Sequence, residues 1–125
     1  MYYVAVLRSF IAQHYLIGGD WGSENLPHSH PYRLEVEVSG EHLDPHNYLI
    51  DITMLEAALE EQISRYRDRL LNDLPEFAGV NPSLEYFARL ICERMAQKLP
   101  TTGLRRLYVR LWEHENAWAA YEMIF

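Results

Sequence analysis

Residues 2 to 14, from Tyr2 to His14, form an apolar run that no glycine or proline interrupts. Its wealth of Tyr, Val, Leu, Phe and Ile predicts one long β-strand. Side chains of a strand alternate between its two faces. Val4, Val6, Phe10, Ala12 and His14 fall on one face, and Ala5, Leu7 and Ile11 on the other. Both faces are largely apolar, so both need cover. Helices can supply one cover, and a partner subunit or a closed barrel the other.

The rest of the chain fills in that plan. Gly18, Gly19, Gly22 and Pro27 mark residues 17 to 27 as a loop. From Pro31 to Ser39 the alternation is clear: Tyr32, Leu34, Val36 and Val38 face one way, Arg33, Glu35 and Glu37 the other. Gly40 to Asn47 reads as a turn, with His42 and His46 in solvent. Tyr48 to Ile52 then returns as a short strand that completes a hairpin. Thr53 and Glu56 have the spacing of a capping box, which predicts a helix with Thr53 as N-cap. Leu55, Leu59, Ile63 and Tyr66 make its apolar stripe. Asn81-Pro82-Ser83 starts a second helix, with Leu84, Ala88, Ile91, Met95 and Leu99 as the stripe and Cys92 packed beside it. Leu104 to Trp112 is a strand with Leu107, Val109 and Leu111 on one face, Glu113 to Asn116 a connection, and Ala117 to Phe125 a final strand. The order is that of an α+β fold, ββααββ: a four-stranded antiparallel sheet with two helices on one face. A chain of 125 residues without linkers or repeats is read as one domain, residues 1–125.

Charge and composition narrow the partners. The net charge is −7 with the histidines neutral, which disfavours a nucleic-acid partner. No apolar run approaches the ~20 residues of a membrane span, so no membrane partner is expected. Arg8 interrupts the N-terminal apolar run, and no small-residue cleavage site follows it, so no signal peptide is expected. The lone cysteine, Cys92, excludes an intramolecular disulfide. A cytoplasmic protein is the expectation.

The chemistry concentrates at His28-Ser29-His30. Two histidines two apart in an extended segment point to the same face, and these share the parity of Tyr32. His14, at the end of the first strand, can complete a three-nitrogen site. Three imidazoles with an open fourth position are the donor set of a catalytic zinc. The alternative is three unrelated histidines among the chain's six.

These landmarks, taken in order, resemble the 6-pyruvoyltetrahydropterin and 6-carboxytetrahydropterin synthase family nearly end to end. Phe10-Ile11-Ala12-Gln13-His14 is similar to that family's F-x-A-A-H, and His28-Ser29-His30-Pro31-Tyr32 to its H-G-H-x-Y. Tyr48 to Asp51 resembles the hydrophobic-Asp step before its first helix. Leu71-Asn72 resembles its L-N, and Asn81-Pro82-Ser83-Leu84-Glu85 its N-P-T-x-E. Glu113, ending a V-x-L-x-E strand, resembles the glutamate that anchors the pterin ring. The resemblance implies a T-fold whose subunits close into a trimeric barrel, paired into a homohexamer with sites between subunits. It implies zinc on His14, His28 and His30, and a substrate related to 7,8-dihydroneopterin triphosphate.

The family's acid–base residues are replaced here. The slot of its basic cysteine, four residues before the first histidine of the pair, holds Glu24. The slot of its Asp-His dyad holds Arg67 and Asp68. Some members of the superfamily carry a glutamate at or beside the cysteine slot and cleave the substrate side chain to 6-hydroxymethyl-dihydropterin. On that reading the protein is a zinc-dependent lyase with Glu24 as base, Asp68 as a proton partner and Glu113 as ring anchor; the plainer readings are an exposed loop carboxylate for Glu24 and a helix-end surface charge for Asp68. The alternatives are a non-catalytic or respecialised pterin or purine binder that keeps the zinc site, and a structural subunit with no ligand.

Overall fold

A computed structural model describes all residues, Met1 to Phe125. The chain runs β1 (Tyr2–His14), β2 (His28–Gly40), α1 (Ile52–Tyr66), α2 (Leu84–Lys98), β3 (Arg106–His114) and β4 (Ala117–Ile124). The strands form one antiparallel sheet in the order β1-β2-β3-β4. Both helices cover one face, α1 against β1 and α2 against β3 and β4. This is the ββααββ plan expected from the sequence.

The core follows from the alternation. Val6, Phe10, Ala12, Tyr32, Leu34, Val36, Val38, Leu107, Val109 and Leu111 are buried on the helix-covered face. Leu55, Leu59, Ile63 and Tyr66 of α1 meet them, as do Phe87, Ala88, Ile91, Cys92 and Met95 of α2. The Cys92 thiol is fully buried, and burial pushes its pKa up to about 12, so it stays a neutral packing group. His42 and His46 are exposed in the loop after β2.

Two local expectations need correction. Tyr48 to Ile52 is not a strand. Asp44 takes the His46 and Tyr48 N–H groups on its side chain and curls the loop on itself, so no extended segment pairs with β2. Nor is Thr53 the N-cap of α1. Asp51 caps, accepting from the Thr53 N–H at 2.9 Å and from the Thr53 hydroxyl at 2.6 Å. Glu56, free of a capping role, pairs with Arg8 on β1.

The uncovered face is less apolar than β1 alone suggests. Leu7, Ile11, Trp118 and Ile124 are exposed on the outer strands. Between them β2 and β3 carry Arg33, Glu35, Glu37, Arg106 and Arg110, with guanidiniums over Tyr108, Trp112 and Trp118. Their charges pair within the face, as in Arg106 with Glu122 and Arg110 with Glu35.

Candidate metal centre and active site

The antiparallel register sets His14 directly opposite His28, and Ala12 opposite His30. All three imidazoles therefore leave the same face of the sheet at one end of β1 and β2. Their ring centroids are 4.6, 4.7 and 4.8 Å apart, with the rings steeply inclined to one another. The ligand nitrogens all lie within 4.8 Å of one another. His14 is buried, and His28 and His30 are partly open to solvent.

Backbone carbonyls orient two of the rings. His14 Nδ1–H donates to the Pro82 carbonyl at 3.3 Å, and His28 Nδ1–H to the Leu26 carbonyl at 2.8 Å. A carbonyl can only accept, so the proton sits on Nδ1 and the lone pair on Nε2. All three Nε2 atoms are buried without a hydrogen-bond partner. Burial, with His30 close by, pushes the His14 pKa below its usual 6.5; burial also lowers that of His30, against the opposing pull of Glu113. Neutral imidazoles are the form that binds metal.

Two carboxylates face the Nε2 atoms. Glu113 Oε1 lies 2.8 Å from His30 Nε2 and 3.5 Å from His14 Nε2. Glu24 Oε2 lies 3.4 Å from His28 Nε2. At His28, whose Nε2 carries the lone pair, the facing Glu24 oxygen repels unless a cation stands between them; the 2.8 Å contact of His30 with Glu113 is the length of an Nε2–H···O hydrogen bond. The donor set fits a zinc ion: three imidazoles on one face with their ligand nitrogens close together, two of the rings held by hydrogen bonds from behind, and two carboxylates beside them.

The register explains how Glu113 arrives. It shares the parity of Leu111, and the β3–β4 ladder is irregular between Trp112 and His114. A bulge there leaves Glu113 without a cross-strand partner and aims it at the histidines. Glu113 therefore belongs to β3, not to the connection that follows it, and its side chain turns into the cleft rather than into solvent. Glu24 sits in a short 3-10 turn, Gly22–Asn25, and is about half exposed. Asp68 does not join the cluster. It lies just past the end of α1 with a positive φ of 58°, and its N–H donates to the Ile11 carbonyl on the edge of β1.

Sequence reasoning missed the carbonyls of Pro82 and Leu26, for which no residue-type signal exists. Tyr32 was legible as part of the histidine motif. Its hydroxyl is 3.4 Å from His14 Nδ1, and burial pushes its pKa well above the usual 10.

A family model for 6-pyruvoyl tetrahydropterin synthase matches residues 3–123. The chain belongs to that family. Solved structures agree on the fold. The 6-pyruvoyl tetrahydropterin synthase of Caenorhabditis elegans is 20% identical, with 98% of this chain and 95% of that one covered and a TM-score of 0.84. That of Plasmodium falciparum is 14% identical, with 99% and 98% covered and a TM-score of 0.80. That of Plasmodium vivax, in a form with a catalytic glutamate replaced by alanine, is 14% identical, with both chains fully covered and a TM-score of 0.79. Membership makes the protein a T-fold member of a pterin-processing family.

Proposed function

We propose that the protein is a zinc-dependent lyase acting on 7,8-dihydroneopterin triphosphate or a closely related pterin. The observation that carries this reading is the convergence of three buried, unpartnered Nε2 atoms on one point. His14, His28 and His30 would hold the zinc, which when bound supplies a Lewis acid that polarises hydroxyls of the substrate side chain.

The chain's own residues do the rest. Pro82 and Leu26 fix the tautomers of His14 and His28. Glu24, across the cluster from Glu113, takes a proton from the substrate side chain in place of the family's thiolate. Support for a carboxylate in that role comes from the Plasmodium vivax relative, in which a glutamate is a catalytic residue. Glu113 accepts two N–H bonds from the guanidine-like edge of the ring, a charge-assisted match. Asp68 is a proton partner only for a site shared across a subunit boundary, because it lies on the β1 edge.

The location of Asp68 favours a second reading, a pterin or purine binder that keeps the zinc site without turnover. Incubation of the zinc-loaded protein with 7,8-dihydroneopterin triphosphate, followed by product identification, separates the two. Turnover by the wild type, with at least about a hundredfold loss in Glu24→Gln, is the expected result. Stoichiometric zinc with tight pterin binding and no product would establish the binder. Equal turnover by Glu24→Gln would remove the proposed base.

A further inference from the structure

The chain leaving β1 is held by side-chain amides where a strand partner is missing. The outer edge of β1 is served by its odd residues. The Ile11 carbonyl accepts from the Asp68 N–H at 2.7 Å, and the Gln13 N–H donates to the Arg69 carbonyl at 2.9 Å. The sheet ends at His14, yet the pattern of alternate residues continues. The Tyr15 N–H donates to Asn72 Oδ1 at 3.0 Å, and the Tyr15 carbonyl accepts from Asn72 Nδ2 at 3.0 Å. Two residues on, the Ile17 N–H donates to Asn81 Oδ1 at 2.7 Å, and the Ile17 carbonyl accepts from Asn81 Nδ2 at 3.1 Å. A carboxamide carries a donor and an acceptor as a peptide group does, so each asparagine stands in for one residue of an absent strand.

The opposite edge of the same segment holds the turn that bears Glu24. The Leu16 N–H donates to the Glu24 carbonyl at 2.9 Å, and the Leu16 carbonyl accepts from Asn25 Nδ2 at 3.0 Å. Asn25 also ties the Gly19 carbonyl and the Trp21 N–H into the turn. Asn81 has a second link to the centre: the next residue, Pro82, supplies the carbonyl that orients His14.

We propose that Asn72 and Asn81 are positioning residues for the histidine centre. They hold Tyr15–Ile17 in strand register, and through Leu16 this places Glu24 beside His28 and keeps His14 under Pro82. The proposal rests on the reading of His14, His28 and His30 as zinc ligands.

The test uses three variants of the full-length protein: Asn72→Ala, Asn81→Ala and, as a control, Ile91→Val. Ile91 is buried in α2 and takes part in none of the hydrogen bonds named above, so its variant lowers stability while leaving those bonds in place. Asn81→Asp adds a finer probe, since a carboxylate keeps the acceptor for Ile17 N–H but sets an oxygen against the Ile17 carbonyl. Amide hydrogen exchange on the metal-free protein is read first. The asparagine variants are expected to exchange at least about tenfold faster in residues 15 to 26, with β2 and β3 unchanged. Zinc affinity, by competition with a chelator, is expected to fall about 10–100-fold in each, the loss typical of a support to a metal ligand. Ile91→Val is expected to melt earlier and bind zinc as the wild type does. Unchanged exchange in residues 15 to 26 overturns the proposal. So does a zinc affinity in the asparagine variants equal to that of Ile91→Val, which would leave the asparagines a purely structural role. A wild type that binds no zinc sinks the metal-centre reading and the positioning role with it; the exchange result alone then decides whether the amides hold the loop.

Discussion

Glu76→Gln is expected to make the protein less stable at neutral pH and less sensitive to acid. The Glu76 side chain is 9% exposed and is surrounded by donors. Arg65 reaches it with two nitrogens at 2.6 and 2.7 Å, Arg94 at 2.9 Å and the Tyr66 hydroxyl at 2.9 Å. The hydrogen bonds from Arg65 are the main reason its pKa falls from 4.5 to about 2. A carboxylate whose folded pKa is depressed contributes stability that is complete above the unfolded value and is lost as pH falls through the folded one. The window therefore runs from about 4.5 down to about 2. At 1.36 kcal/mol per unit the full shift corresponds to about 3 kcal/mol. Both guanidiniums are 36% exposed, and solvent screening reduces the expected contribution to about 1–2 kcal/mol. Urea titrations of both proteins at pH 7 and pH 3 measure it. The gap between them should be about 1–2 kcal/mol at pH 7 and less than half of that at pH 3. An equal gap at the two pH values would refute the assignment of the stability to the carboxylate charge. Zinc affinity should not change. The carboxamide of the Glu76→Gln variant still accepts from Tyr66, whose ring packs on Phe87 and through it on Tyr32 beside His14.

Other consequences are as direct. His28→Ala should lose bound zinc in metal analysis, and undiminished zinc would reject the three-histidine centre. Zinc affinity of the wild type should hold as pH falls to 6.5 and weaken only below it, because burial keeps His14 and His30 neutral under their ordinary pKa; chelator competition across pH 5 to 8 checks this. Glu113→Gln should weaken pterin binding by about 1.5–3 kcal/mol in titration calorimetry, and equal affinity would reject the ring anchor. Light scattering at micromolar concentration should give an oligomer, with a homohexamer expected, and a monodisperse species of 14.8 kDa would refute assembly.

Periodicity made the sheet and the histidine cluster legible. The parity of His28 and His30 with Tyr32 sets the face of the histidines, whereas Glu113, read as the start of a connection, reaches them from the irregular end of β3. What stayed hidden depends on side chains that compete with the backbone. Asp44 and Asp51 each capture nearby N–H groups, which turns a strand-like stretch, Tyr48 to Ile52, into a loop and a helix cap. A helix-end surface position for Asp68 was legible, but its contact with β1 was not. The left-handed φ at that residue swings the chain after α1 onto the edge of β1, and Asp is one of the few non-glycine residues that accept such a φ. The tautomers of His14 and His28 rest on carbonyls, which every residue carries.

The same edge bears on assembly. A free strand edge invites pairing, and a protein either covers it or uses it. β1 does both. From Ile11 onward its outer edge is occupied by Asp68, Arg69 and then Asn72, while Tyr3 to Ser9 have no backbone partner there and only the Leu7 carbonyl is engaged, by the Arg8 guanidinium at 2.7 Å. The outer edge of β4 is also open, since its only neighbour is β3. Two open edges on one sheet can satisfy each other only between copies, and a closed ring leaves none exposed. The occupied half of β1 then acts as a stop. A neighbour's β4 could pair along β1 as far as Ser9 and no further, because Asp68 already holds the Ile11 carbonyl. A slip of one residue would turn every side chain of that strand to the wrong face. In such a ring the segment that ends α1 would order two neighbours: the histidine cluster inside the subunit and the register of the next subunit outside it. That places any shared site at the C-terminal end of β1, where Asp68 stands at the boundary.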